Sequence, residues 1–239
     1  IIGSPNDEKS NTATLVRDFL DTVSEYDSDI EYEVISLGKK HINPCHGCWA
    51  CFKTGCCVFK DADLLEIREK ILKCDFLIIG SPVYEQLISS QTKMLFDRTF
   101  QWIHLQGLIG KPVITAVTSG GDGILTAQGY LSIMLQFMGC VMVGHLKGTG
   151  QQPGFFPDRA IYKEKYRSLA KKTVDILNGK KHLKPGLINY WGYWDMKHHT
   201  RRCQKVGHKD GHWEYTEFEY RYWANKGWFH KGYNKVSRE

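Results

Sequence analysis

The chain has 239 residues, of which 24% are charged and 42% hydrophobic, the make-up of a soluble globular protein with one sizeable core. No apolar run reaches the roughly 20 residues needed to span a bilayer, and no secretory leader opens the chain, so a cytoplasmic protein without a membrane partner is expected. The net charge of +6 sits in the last quarter, where residues 180–239 hold 13 Lys/Arg against 6 Asp/Glu, while residues 1–179 hold 19 against 20. Those basic residues are interleaved with aromatics and carry no recognition motif, so a tail packed on its own body or on a partner subunit is expected, not nucleic-acid binding.

The chain opens without Met, and Ile1-Ile2 reads as the end of a strand whose beginning is missing. Further β-branched apolar runs follow at residues 32–36, 76–80, 113–118 and 141–146. Continuous runs such as Phe76-Leu77-Ile78-Ile79 suit strands covered on both faces. Between them, residues 10–26, 62–73, 89–106 and 124–138 place apolar side chains at three- and four-residue spacing, as do residues 159–177 before the Asn178-Gly179 stop. Alternating strands and helices predict an α/β fold, a doubly wound parallel sheet of five strands spanning residues 1–180.

Residues 181–239 break the alternation and form a second unit. Thirteen aromatic residues lie between Asn189 and Tyr233, too many for a disordered segment. Residues 213–224 predict an amphipathic helix and the remainder reads as loop. This aromatic, basic C-terminal extension is expected to pack on the body or on a neighbouring subunit.

In an open parallel sheet, ligands sit beyond the carboxyl ends of the strands. Three loops there carry suitable chemistry. The first, Gly3-Ser4-Pro5-Asn6-Asp7-Glu8-Lys9-Ser10-Asn11-Thr12, offers hydroxyls and amides at a helix start, either a phosphate cradle or an ordinary cap. The second is Gly80-Ser81-Pro82-Val83-Tyr84, where Pro82 stiffens a turn and Tyr84 can lie against a ring. The third, Thr118-Ser119-Gly120-Gly121-Asp122-Gly123, lets backbone approach a planar ligand closely.

With Lys93 and Asp97-Arg98, these loops make the sequence resemble the NAD(P)H-dependent FMN reductases of the flavodoxin-like superfamily. The spacing Cys45-x2-Cys48-x2-Cys51-x4-Cys56 narrows the resemblance to their iron–sulfur flavoprotein branch. The resemblance covers roughly residues 1–180 and implies a flavodoxin-like sheet of strand order 2-1-3-4-5. It implies that Ser4, Asn6, Ser10, Asn11 and Thr12 hold the FMN phosphate, that Pro82, Val83 and Tyr84 line the isoalloxazine, and that Ser119, Gly120 and Gly121 meet its pyrimidine edge, with Thr118 also among the cofactor-binding residues. Asn6 stands where the family usually has a basic residue, which leaves the phosphate charge to amides, the helix dipole and Lys9. No acid–base residue is required, and Tyr84 is the nearest candidate for a group beside the ring. The implied activity is FMN-dependent reduction of flavin, quinone, nitro or azo acceptors by NAD(P)H. The alternative is an electron carrier between protein partners such as a ferredoxin-like protein. A homodimer or homotetramer is expected, because an open flavin face and an aromatic tail both need cover.

Five of the eight cysteines fall within thirteen residues, a pattern of ligation or redox chemistry and not of disulfides that close long loops. By the resemblance Cys45, Cys48, Cys51 and Cys56 ligate a [4Fe-4S] cluster, with Cys57 as an alternative fourth ligand. A cluster-free reductase with packing or redox cysteines, and a structural zinc site, stay open as readings. In the tail, His198, His199, Cys203, His208 and His212 lack paired metal-ligand spacing apart from His208-x3-His212, so exposed or aromatic-packed histidines are expected there.

Overall fold

The computed structural model of the protein describes residues 1–157, 159–211 and 216–237. Helix α1 (Asn11–Tyr26) starts at Ser10, whose Oγ accepts from the Ala13 amide at 3.0 Å. A short α2 (Ala50–Thr54) follows inside the cysteine loop, and α3 (Ala62–Lys73) leads into strand β1 (Leu77–Tyr84). Strand β2 (Leu87–Ile88) folds back on β1 through Glu85 and Gln86, both at positive φ, the two-residue turn whose twist suits a hairpin. Then come α4 (Ser90–Arg98), α5 (Gln101–Leu105), β3 (Pro112–Ser119), α6 (Ile124–Phe137), β4 (Val141–Thr149) and α7 (Arg159–Leu177).

The sheet is mostly parallel, with β3 between β1 and β4 and the antiparallel β2 at its edge. Side chains alternate across it. Val113 and Val117 of β3 join α3, α4 and α6 in one core, whereas Ile114 and Ala116 join α1 and α7 in the other. The α/β reading with a mostly parallel sheet therefore holds, but the five-stranded 2-1-3-4-5 sheet does not. Among the described residues four strands form, in the order β2-β1-β3-β4. The first two expected strands shrink to single parallel bridges from Ile2 to Ser36 on one side and to Gly80 on the other. The 89–106 helix also breaks in two at Thr99-Phe100, where the Thr99 hydroxyl bonds back to Leu95 O at 2.8 Å.

The extension is more helical than its sequence predicts. It folds into α8 (Leu187–Asp210), α9 (Glu217–Asn225) and α10 (Tyr233–Val236). Of the expected 213–224 helix, residues 213–215 lie outside the described residues, as does His212. Trp223, Trp228, Phe229, Tyr193, Tyr233 and Val236 make a small core of their own. Polar contacts dock it on the body: Asn189, fully buried, donates to Cys140 O at 2.7 Å, and Trp223 Nε1 donates to His104 O at 2.8 Å. Among the described residues no helix is long and apolar enough to cross a membrane.

Candidate functional site

At the carboxyl ends of β1, β3 and β4, beside the start of α1, lies a cleft of about 220 Å³. Eleven of the twelve cofactor residues expected from sequence line it: Ser4, Asn6, Ser10, Asn11 and Thr12 from the first loop, Pro82, Val83 and Tyr84 from β1, and Thr118, Ser119 and Gly120 from the end of β3. Gly121 does not line it; a Cβ there would meet open space. Gly123 is needed for another reason, since it caps α6 at φ +77 with the Val83 side chain 2.7 Å from where its Cβ would stand.

The cleft is polar without being cationic. Ser4, Ser10, Thr12 and Thr118 are buried, and the hydroxyls of Thr12 and Thr118 meet at 2.6 Å. Asn11 and Thr12 are the first two residues of α1, so their amides have no partner within the helix. The buried Asn11 Oδ1 has no hydrogen-bond partner. Amide donors at the positive end of a 16-residue helix are what an anionic group needs. Lys9 is not among the lining residues, and Asp7 is held by Lys39. Any bound anion would therefore rest on amides, hydroxyls and the helix end. Tyr84 closes the last turn of β1 at the cleft with 42% of its surface exposed, free to cover a flat ligand.

Sequence reasoning missed one wall. Gly150, Gln151, Gln152 and Pro153, after β4, complete the cleft, and Asn11 Nδ2 ties them down by donating to Gly150 O at 3.1 Å and Gln152 O at 2.9 Å. The signal was available, since this Gly-Gln-Gln-Pro loop follows the last strand at the same sheet edge.

The cysteine loop, residues 43–61, is a separate construction built around Arg98. This side chain is 1% exposed and pairs with Asp61, 6% exposed, while donating to Asn43 O at 2.6 Å, Phe59 O at 3.3 Å and Cys57 Sγ at 3.4 Å. Arg68 lies alongside, stacked over Trp102 at 5.2 Å, its guanidinium drawn down by burial while the charges of Cys57, Cys51 and Cys56 oppose that. The Cys51 thiol is pushed up, first by burial and then by Cys57, Cys45 and Cys48. Five sulfurs thus share one neighbourhood, yet among the described residues no three of them lie within 4.8 Å of one another. From outside, the extension presses on the loop: a Cβ on Gly55, at φ +78, would stand 2.4 Å from the Phe218 ring.

Residues 1–152 match the family model of NADPH-dependent FMN reductases. The chain belongs to that family. An iron–sulfur flavoprotein of Methanocaldococcus jannaschii is 36% identical to the reductase over 191 residues, 74% of this chain and 95% of that protein. An iron–sulfur flavoprotein of Archaeoglobus fulgidus is 30% identical over 186 residues, 77% of this chain and 82% of its own. In fold the reductase resembles an NADH:FMN oxidoreductase, with a TM-score of 0.53 over 76% of this chain and 91% of that one at 22% identity. It also resembles an FMN-dependent NADH-azoreductase from Bacillus anthracis, with a TM-score of 0.51 over 72% and 96% at 16% identity. The reductase is accordingly an oxidoreductase of flavodoxin-like fold.

Proposed function

We propose that the reductase binds FMN in the cleft and uses NAD(P)H to reduce small acceptors of the flavin, quinone, nitro or azo class. The observation that carries this reading is the convergence of the three loops on one uncharged, hydroxyl-lined cleft at the first amides of α1. Bound FMN supplies hydride acceptance and stepwise electron release. The chain's own residues bind and orient it. The Asn11 and Thr12 amides with the Ser4 and Thr12 hydroxyls hold the phosphate. Pro82, Val83 and Tyr84 flank the ring and keep water from one face, and Thr118, Ser119 and Gly120 face its polar edge. No side chain need act as general acid or base, because hydride moves between bound partners and solvent can supply the accompanying proton.

The cysteine loop fits an iron–sulfur cluster by its donor set. Cys45, Cys48 and Cys51, with Cys56 or Cys57, can supply four thiolates to a [4Fe-4S] group, which would relay single electrons. Arg98 and Arg68 lie where such an anionic group needs counter-charge. Anaerobic purification followed by turnover with NADH or NADPH and a quinone tests the whole reading. Steady NAD(P)H oxidation by a flavin-bearing protein is expected. Reduction only by a ferredoxin-like protein would replace the enzyme with an electron carrier, and a colourless protein indifferent to added FMN would remove both.

The reductase is further proposed to be a homodimer or homotetramer. Leu187, Trp191 and Trp194 recur along one side of α8 and are 87%, 55% and 57% exposed, a larger apolar display than a monomer of this size needs. Sedimentation should give a multiple of the 27.5 kDa chain mass, and Trp191→Asp with Trp194→Asp should return it to a single chain. A monomeric wild type would contradict this.

A further inference from the structure

The extension and the body meet at a second polar cluster, none of whose residues lines the cleft. Glu219, in the first turn of α9, is 2% exposed. A carboxylate removed from water needs compensating charge or full hydrogen bonding. What it meets is the Thr200 hydroxyl of α8, which donates to Oε1 at 2.7 Å, and His104 of α5, whose Nδ1 stands 3.3 Å from the same oxygen. The second contact is long for a hydrogen bond, since N–H···O distances run from roughly 2.7 to 3.2 Å.

His199 of α8 completes a triangle. One ring nitrogen each from His104 and His199 and one oxygen of Glu219 all lie within 4.8 Å of one another, the one such group of His, Cys, Asp or Glu among the described residues. One helical turn further on, Cys203 Sγ sits 3.4 Å from His199 Nε2. Four residues apart, the two project from the same face of α8. Two of the spacings match a tetrahedral zinc site, while Cys203 stands beside His199 outside the three-atom group and joins it by turning about its Cα–Cβ bond. With bonds of about 2.0–2.1 Å to N and O and 2.3 Å to S, ligand atoms stand about 3.3 Å apart for N and O and about 3.5 Å for N and S. The observed pairs are at 3.3 and 3.4 Å. A plain buried His–Glu hydrogen bond would account for Glu219 and His104 and leave His199 and Cys203 unexplained.

We propose that His104, His199, Cys203 and Glu219 bind one zinc-class divalent cation that clamps α8 and α9 of the extension onto α5 of the body. Two imidazoles, a thiolate and a carboxylate are a donor set for Zn²⁺ or Co²⁺ and a poor one for Mg²⁺ or Ca²⁺. Thr200 orients the carboxylate from behind, the usual part of an outer hydrogen bond at a metal centre. Four protein ligands leave no open position, so the cation is structural. It also braces the cysteine loop, because the His104 ring packs edge-on against Phe52 of α2 at 4.6 Å. The sequence expectation of exposed or aromatic-packed histidines fits His198, which stacks on Trp194 at 4.4 Å, whereas His104 and Glu219, the neighbours of His199, lie far off in the chain.

The test uses the full chain, stripped with a chelator and then titrated with Zn²⁺ or Co²⁺, in the wild type and in His199→Ala, Cys203→Ser and Cys51→Ser variants. His199 is exposed and Cys203 half-buried, so neither change threatens folding. Wild type and Cys51→Ser should each take one cation that raises the melting temperature by several degrees. His199→Ala and Cys203→Ser should lose that equivalent, or bind it at least 100-fold more weakly, with flavin content unchanged. Cys203→Ser should also lose the sulfur-to-cobalt absorption. Equal uptake by wild type, His199→Ala and Cys203→Ser would overturn the proposal, as would uptake abolished by Cys51→Ser alone or no uptake by the wild type.

Discussion

Arg98→Ala should lower the stability of the reductase by about 3–5 kcal/mol and unseat the cysteine loop, the largest effect expected from any single change outside the apolar core. The side chain is 1% exposed and is the common partner of Asp61, Asn43, Phe59 and Cys57, so its removal strands a carboxylate that is itself 6% exposed and leaves two carbonyls unpaired. Lysine is no remedy, because a single ammonium cannot reproduce the guanidinium fork that reaches both the carboxylate side and the sulfur side. Chemical denaturation of wild type, Arg98→Ala and Arg98→Lys measures the loss directly. Burial acts to raise the Asp61 carboxyl, but hydrogen bonds from Asn43 and Arg98 and the Arg98 charge outweigh it and hold the group below its ordinary value of 3.8. A carboxylate depressed in the folded state contributes stability that is fully present above that ordinary value and is lost as pH falls through the lower folded one. The acid-labile window therefore lies below about pH 4, and Arg98→Ala should flatten it. A stability loss under about 1 kcal/mol would show that the ion pair does not anchor the loop.

Asn11→Asp should weaken FMN binding by roughly 100-fold or more, a change of about 3 kcal/mol. Asn11 Nδ2 donates to Gly150 O and Gln152 O and so fixes the wall that sequence reasoning missed. Aspartate replaces that donor with an acceptor facing two carbonyls, and it places negative charge at the amides that would receive a phosphate. Asn11→Ala removes the tether without the charge and should cost less, about 10-fold. Flavin fluorescence titration of the three proteins separates tether from charge; equal affinities would mean that the phosphate lies elsewhere.

Much of this was written in local chemistry. The loops that line the cleft were legible because each follows an apolar, β-branched run and mixes Ser, Thr, Pro and Gly where a buried strand must end. α3 and α7 likewise match the spacing of their apolar residues. Other features depended on distant partners. Nothing local predicts that Ile1-Ile2 and residues 32–36 pair through single bridges, because ladder length depends on both neighbours. β1 runs through Pro82 to Tyr84, since its hairpin with β2 continues the pairing past the expected loop. α8 was obscured by Gly192 and by aromatics on several of its sides, which blur a helical period. It forms because Tyr193 and Asn189 are buried by α10, the 3-10 turn Trp228–His230 and the end of α6. The pairing of His104 with Glu219 spans 115 residues and leaves no trace in spacing.

The central claim, that the end of α1 and its flanking loops hold FMN by its phosphate, is tested most directly by titrating flavin-free protein with FMN and with riboflavin side by side. One FMN per chain, bound at least 100-fold more tightly than riboflavin and losing that advantage in Asn11→Asp, is the result predicted. Equal affinity for the two flavins, or no binding of either, would contradict it.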